Sequence, residues 1–257
     1  MKNLNEINFQ NIKKVGIRVD FNVPTNDSFQ ITDNTRLLRA KDTIDFILKN
    51  ECKILLLSHF GRPKEAFDEK FSFTNLIDQF SDILGYEIHL LPYEEFLQNG
   101  LKQFYESTNK ITLLDNIRFF EGEKKNDEAF SQSITNELDL FINEAFSASH
   151  RSHASVNQMA KNILSAPGLN FSKEVTAIND IKNSTKRKLA IIGGSKVSTK
   201  IKTLLSLTQS CSNIFIGGAM ANNFLKYQGI VVGQSLLEEG SEEMIKEIYK
   251  LANKTGC

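Results

Sequence analysis

The sequence predicts an α/β protein: two doubly wound, Rossmann-like parallel-sheet domains joined by a hinge, the second of them incomplete. Three observations carry this expectation. Short β-branched or leucine-rich runs alternate with longer stretches of helical pattern along most of the chain. The short runs are continuously apolar, as in strands covered by helices on both faces, rather than alternately polar. The alternation pauses once, at the breaker cluster Ser165-Ala166-Pro167-Gly168, and then restarts.

Taken in order, the strand candidates of the first part are Val15–Val19, Lys53–Leu57, Glu87–Leu90, Ile111–Leu114 and Leu140–Ile142. Helical stretches lie at Thr35–Lys49, Phe73–Leu84, Asp127–Glu137 and Val156–Leu164. The polar, charged segment Ser172–Lys188 reads as a connecting helix closing on N-S-T-K-R-K. The pattern resumes with a strand at Leu189–Ile192, a helix from about Val197 to Leu207, and a strand at Asn213–Ile216. Two more helices follow, from about Ala219 to Lys226 and from about Glu238 to Ala252. The expected organisation is a domain over residues 1–170, a connector over 171–188 and a partial domain over 189–257. Two strands leave a parallel sheet with open faces and edges. The terminal A-N-K-T-G-C has the form of a helix C-terminus with its glycine stop, so the sequence is expected to end inside a domain.

Composition narrows the function classes. The 257 residues are 40% hydrophobic and 24% charged, with 31 basic against 31 acidic side chains. A balanced charge gives no general field for nucleic acid or for a membrane surface, and neither partner is expected. No apolar run approaches about 18 residues and no charged-then-apolar leader opens the chain, so a cytoplasmic protein is expected. Cys52, Cys211 and Cys257 are widely spaced, which suggests neither a disulfide framework nor a zinc site. Seven of the 31 basic residues are arginine, and six of those lie within the first 151 residues: Arg18, Arg36, Arg39, Arg62, Arg118 and Arg151. Arginine is suited to a planar, bidentate grip on phosphate or carboxylate. The same count also fits a lysine-rich protein with few arginines anywhere.

Ligands of open parallel sheets gather at the carboxyl ends of the strands. The loops there are dense in anion-binding types. Arg18-Val19-Asp20-Phe21-Asn22-Val23-Pro24 offers an arginine, a carboxylate and an amide, a set able to grip a hydroxy acid, or equally to form a buried salt bridge and an Asx turn before proline. In Ser58-His59-Phe60-Gly61-Arg62-Pro63 the glycine allows close backbone approach and His59 and Arg62 can donate to an oxyanion. His59 alone fits a structural role as well. Asp115-Asn116-Ile117-Arg118-Phe119 adds another arginine, and the E-G-E-K-K-N-D behind it reads as a solvated loop capped by Asp127. After the fifth strand, Asn143–His153 contains Arg151 and a His150-x-x-His153 pair whose set no nearby carboxylate or cysteine completes, so no metal is expected. Four strand-end loops with one arginine each predict a basic pocket for a small, multiply anionic molecule.

In the second unit, a strand runs into Gly193-Gly194-Ser195-Lys196-Val197-Ser198-Thr199-Lys200. A glycine pair before a helix exposes backbone N–H groups at the positive end of the helix dipole. Lys196 and Lys200, four residues apart, are expected on one helical face with both ammonium groups toward phosphate. The spacing is not that of a Walker A loop. A second strand-to-glycine turn stands at Ile216-Gly217-Gly218-Ala219. Tight turns that merely need glycine are the plainer reading of either one alone.

Taken together, R-V-D-F-N-V-P, I-T-D-N-T-R, S-H-F-G-R-P, N-I-R-F, A-F-S-A-S-H-R-S-H-A-S, G-G-S-K-V-S-T-K and G-G-A-M-A-N-N-F-L-K resemble, in order and nearly end to end, the signatures of the phosphoglycerate kinase family in its bacterial form. The resemblance implies a monomeric glycolytic kinase, a transferase moving a phosphoryl group reversibly from 1,3-bisphosphoglycerate to ADP to give 3-phosphoglycerate and ATP, with Mg²⁺ accompanying the nucleotide. It implies that Asp20 and Asn22 hold the glycerate portion. Arg36 would stabilise the transferring phosphoryl group, and His59, Arg62, Arg118 and Arg151 would bind the stable phosphate. Lys200 would contact nucleotide phosphates, Lys196 would neutralise the group in flight, and Gly193, Gly194, Gly217 and Gly218 would line the nucleotide side. Arg36, Lys196 and Lys200 are thus the implied catalytic set, with hinge closure around Pro167–Lys188. The chain departs from the family pattern at Phe60, Glu144 and Ser147-Ala148, where leucine, aspartate and glycine-threonine are usual. It also has no G-G-G-D-T or W-N-G-P-M-G-like segment and no carboxylate assignable to the ribose. As it stands the chain is expected to keep the triose-phosphate pocket and lack catalysis. The alternative is a non-catalytic triose-phosphate-binding protein.

Overall fold

The computed structural model describes residues 3–64 and 66–257. The chain divides into two compact units, one running to Ala177 and the other spanning Ile178–Cys257. In the first, six parallel strands form one sheet: β1 (Lys14–Arg18), β2 (Lys53–Leu57), β3 (His89–Leu91), β4 (Ile111–Leu114), β5 (Leu140–Asn143) and β6 (Ser165–Pro167), in the order β3-β4-β2-β1-β5-β6. The helices are α1 (Thr35–Lys49), α2 (Ile77–Leu84), α3 (Tyr93–Asn99), α4 (Lys102–Glu106), α5 (Glu121–Lys125), α6 (Glu128–Thr135), α7 (Met159–Asn162) and α8 (Leu169–Asn183), the last running past the unit boundary.

The continuous apolar strands have a plain cause. Along β2, Ile54 and Leu56 enter one buried cluster while Leu55 and Leu57 enter another, on the opposite face of the sheet. β5 does the same, with Leu140 and Ile142 on one side and Phe141 on the other. Both faces are therefore covered, and each fully buried Leu, Ile or Phe side chain contributes about 1.5–3 kcal/mol. Helix α1 packs on the first face through Leu37, Ala40, Ile44 and Ile47, the spacing of a helical stripe. Because the strand order reverses between β1 and β5, the crevice at their carboxyl ends is the topological switch point of the sheet.

Ser165-Ala166-Pro167 is not a break but the sixth strand. It pairs with β5 at the sheet edge, where a proline without an N–H is tolerated. The region Glu121–Lys125 is likewise helix α5 rather than a solvated loop, and Asp127 Oδ1 caps the following helix by accepting from Phe130 N at 2.7 Å.

The second unit contains β7 (Leu189–Gly193) and β8 (Asn213–Gly217), paired in parallel, with α9 (Ile201–Thr208), α10 (Ala219–Tyr227) and α11 (Glu242–Thr255). Val197, Leu204, Met220, Phe224, Ile245 and Ile248 form its core, with Ile192, Ile214 and Ile216 packed against them. The other face of the two-stranded sheet presents Leu189, Ile191 and Phe215, each more than 60% exposed. Among the described residues no helix is long and apolar enough to cross a membrane.

Candidate functional site

At the switch point the β1 loop meets the β5 loop and α1. Asp20 Oδ2 accepts from Arg36 NH1 at 2.8 Å and from Ser147 Oγ at 2.5 Å. Asp20, Arg36, Arg39, Glu144, Ser147 and Asn170 border a cavity of about 140 Å³. Asn22 turns toward the neighbouring loop, where its Oδ1 accepts from Gly61 N at 2.8 Å. That loop is fixed from a third side. Asn116 Oδ1 accepts from Phe60 N at 3.1 Å, and its Nδ2 donates to Phe60 O at 2.6 Å and Phe71 O at 3.0 Å. Asp115, buried, accepts from Ser72 Oγ and Phe73 N, both at 2.9 Å, with burial pushing its carboxyl above the usual range.

Arg62, Pro63, Arg118, Lys124, Arg151 and His153 surround a second opening, of about 490 Å³. Arg118 is oriented by donating to Gly61 O at 2.6 Å, and its half-buried guanidinium is held below its usual range by burial and then by the neighbouring Arg151 and Arg18. A cluster of like charges with little solvent is costly until an anion enters. Of the strand-end arginines, Arg36 borders the first opening and Arg62, Arg118 and Arg151 the second.

Arg18 belongs to neither. It is turned inward and only 2% exposed, donating from Nε to Ser155 Oγ at 2.8 Å, from NH1 to Val19 O, and from NH2 toward His59 Nδ1 at 3.1 Å. Of the two readings open for this loop, ligand grip or buried pairing, the geometry of Arg18 is that of a buried structural residue. His59 is also buried, and its pKa is pushed down to about 2 by burial first and then by Arg18, Arg118, Arg151 and Arg36. With Nδ1 accepting from Arg18, the neutral ring keeps its proton on Nε2. It can donate to an anion but adds no charge to the patch.

Glu123 escaped the sequence reading. Its side chain is 1% exposed. It accepts from Ser155 N at 2.8 Å and Ser155 Oγ at 2.7 Å, and it lies 3.6 Å from His153 Nδ1. Burial alone raises its carboxyl, but the His153 bond, the Arg18 charge and the two Ser155 bonds outweigh this and leave it below the ordinary range. Helix α5 is five residues long, too short for periodicity to reveal a buried acid inside E-G-E-K-K. His153 was visible only as one half of an unfilled metal pair.

In the second unit Gly193 and Gly217 are register partners at the ends of β7 and β8. Gly218 has φ +68°, and a Cβ there would lie 2.9 Å from Gly194 O, so this glycine is required by the close approach of the two turns. Gly194 O in turn accepts from Met220 N at 2.8 Å. Helix α9 begins at Ile201, with Lys200 as its N-cap residue, so Lys196 and Lys200 do not share a helical face. Both lie exposed on the irregular turn before it. Among the described residues no cluster of three or more His, Cys, Asp or Glu is arranged to hold a metal ion.

Fold and site together define a doubly wound α/β protein with basic strand-end openings suited to a small, multiply charged anion. The family model described as Phosphoglycerate kinase matches residues 4–257, and the chain belongs to that family. It is 38% identical over 248 residues to the phosphoglycerate kinase of Wolbachia sp. subsp. Drosophila simulans, and 41% identical over 247 residues to that of Prochlorococcus marinus strain MIT 9301. In each case the match covers 95% of this chain and 61% of the relative, so the chain spans about three-fifths of their length. The structure of phosphoglycerate kinase from Coxiella burnetii superposes with a TM-score of 0.85 at 30% identity, covering 99% of this chain and 64% of that one. The Pyrococcus horikoshii phosphoglycerate kinase, at 23% identity and a TM-score of 0.77, shares the fold.

Proposed function

We propose that this chain supplies the acid-binding side and part of the nucleotide side of a phosphoglycerate kinase, which transfers a phosphoryl group reversibly from 1,3-bisphosphoglycerate to ADP, yielding 3-phosphoglycerate and ATP. The observation that carries this reading is the grouping of Arg62, Arg118, Arg151 and His153, drawn from three strand-end loops, around one opening of about 490 Å³. Three guanidinium groups suit the dianionic phosphate that stays on the substrate. His59 adds a neutral N–H. Asp20 and Asn22 are suited to the hydroxyl and carboxylate of the glycerate portion. A substrate hydroxyl would exchange for Ser147 on Asp20, and Arg36, released in part from Asp20, would face the developing charge. Transfer through a loose transition state needs alignment and positive charge rather than covalent help. Lys196 and Lys200 supply that charge on the nucleotide side, beside the turns of Gly193, Gly194, Gly217 and Gly218. Mg²⁺ would accompany the nucleotide, held largely by phosphate oxygens and water; among the described residues no cluster of three or more His, Cys, Asp or Glu could hold a metal ion. A monomer in the cytoplasm suits a kinase of this type.

The test is a calorimetric titration of the chain with 3-phosphoglycerate and, separately, with MgADP. The acid is expected to bind, more weakly as salt rises. An Arg62→Ala, Arg118→Ala double variant should bind it roughly a hundredfold more weakly or worse, as befits two charge-assisted contacts. A folded protein that does not bind the acid would remove the assignment.

A further inference from the structure

Glu238, where the sequence predicts the last helix to begin, instead lies in the segment between α10 and α11, which starts only at Glu242. Its carboxylate accepts from the backbone N–H of Val197 at 2.6 Å and of Ser198 at 3.1 Å, and also from the Ser198 hydroxyl. All three donors belong to the turn between β7 and α9 that carries Lys196 and Lys200. Backbone N–H groups in such a turn are the usual partners of a phosphate. Here two of them are already held by an anion from the chain itself.

The acid is in turn held in place. Glu238 N donates to Asn223 Oδ1 at 2.7 Å, and the buried Asn223 belongs to α10. The buried Ser241 hydroxyl donates to Glu238 O at 3.0 Å. On the turn, Val197 is fully buried in the unit's core, whereas Ser195, Lys196, Ser198, Thr199 and Lys200 are exposed. The turn is therefore pinned at Val197 and Ser198, by the buried Val197 side chain and by Glu238 on the backbone, with the exposed Lys196 and Lys200 on either side. The Ser198 hydroxyl bond and the two backbone bonds, with help from Lys196, keep the Glu238 carboxyl below its ordinary range despite some desolvation.

We propose that Glu238 is a positioning residue, the resident anion of the β7–α9 turn, fixing the backbone from which Lys196 and Lys200 reach the phosphates of a nucleoside diphosphate. Phosphate recognition at this turn is then the work of ammonium groups and of the glycine turns, not of the Val197 and Ser198 amides. The inference rests on the nucleotide reading given above.

The experiment compares the wild-type chain with Glu238→Ala and Glu238→Gln. It reads amide hydrogen exchange at Val197 and Ser198, MgADP affinity, and 3-phosphoglycerate affinity as a control. In Glu238→Ala both amides are expected to exchange roughly tenfold faster or more, since charge-assisted hydrogen bonds are lost. The Kd for MgADP should rise by about three- to tenfold, with 3-phosphoglycerate binding unchanged. Glu238→Gln keeps an acceptor and should lie between, and it carries the test should the alanine variant unfold the second unit. Unchanged exchange in both variants overturns the clamp. Faster exchange with unaltered MgADP affinity reduces Glu238 to a structural acid and overturns the positioning role alone. No MgADP binding by the wild type overturns the nucleotide reading and the proposal together.

Discussion

His59 and Glu144 are displaced from their ordinary pKa values by the same cause, burial, with opposite consequences for stability. His59 falls from 6.5 to about 2, so its contribution is complete above 6.5 and is lost as pH falls toward 2, because the unfolded chain takes up the proton first. Glu144 rises from 4.5 to about 7, burial outweighing the N–H groups of Asn170 and Phe171 that it accepts at the start of α8. Its contribution is complete below 4.5 and is lost as pH rises through 7. Between 4.5 and 6.5 the two oppose each other, each with a limiting slope of about 1.4 kcal/mol per pH unit. Glu144→Gln removes one side of this balance. Urea unfolding at pH 5, 6 and 8 should find the variant more stable than the wild type at pH 8 and declining more steeply toward pH 5. Parallel profiles would place the Glu144 proton elsewhere. What the sequence made legible at this scale was residue type and loop, as for Arg62 and Arg118, but not direction. Arg18 is the instructive case: it is the last residue of β1 and shares a strand face with Gly16, opposite Val15 and Ile17. On that face Arg18 meets Ser155, a partner more than a hundred residues away that strand parity by itself does not name.

At the scale of elements, the strands Lys53–Leu57 and Ile111–Leu114 and the helix Thr35–Lys49 have the bounds that the sequence pattern predicts, because the strands are apolar almost without interruption and the helix is long with one apolar stripe. The edge strand β6 was hidden by its own proline and its length of three residues. Helix α9 starts later than expected because the turn before it is held open by Glu238 rather than wound into a first turn. Turns set by backbone proximity can be tested directly. Gly218→Ala places a Cβ against Gly194 O in a left-handed conformation, and should lower the stability of the second unit by roughly 1–3 kcal/mol. The measurement is the urea midpoint of that unit, and a change below about 0.5 kcal/mol would mean that the turn relaxes freely.

For the molecule as a whole, the two units differ in how well they are covered. The first buries side chains on both faces of a six-stranded sheet, and the second has one small core and an open apolar face bearing Leu189, Ile191 and Phe215. Unfolding of the chain should therefore occur in two steps, with the amides of β7 and β8 exchanging before those of β1, β2 and β5. A single step with uniform exchange would contradict this. The arginine distribution has one more consequence, in terms of covalent chemistry. The cations of the first unit's anion opening are mainly guanidinium groups, with Lys124 the exception, whereas those of the β7–α9 turn are primary amines. A reagent that acylates amines would consume Lys196 and Lys200 and leave Arg62, Arg118 and Arg151 untouched. Amine acylation should therefore silence the proposed nucleotide side while sparing the guanidinium charge at the other opening, where Lys124 is the one amine.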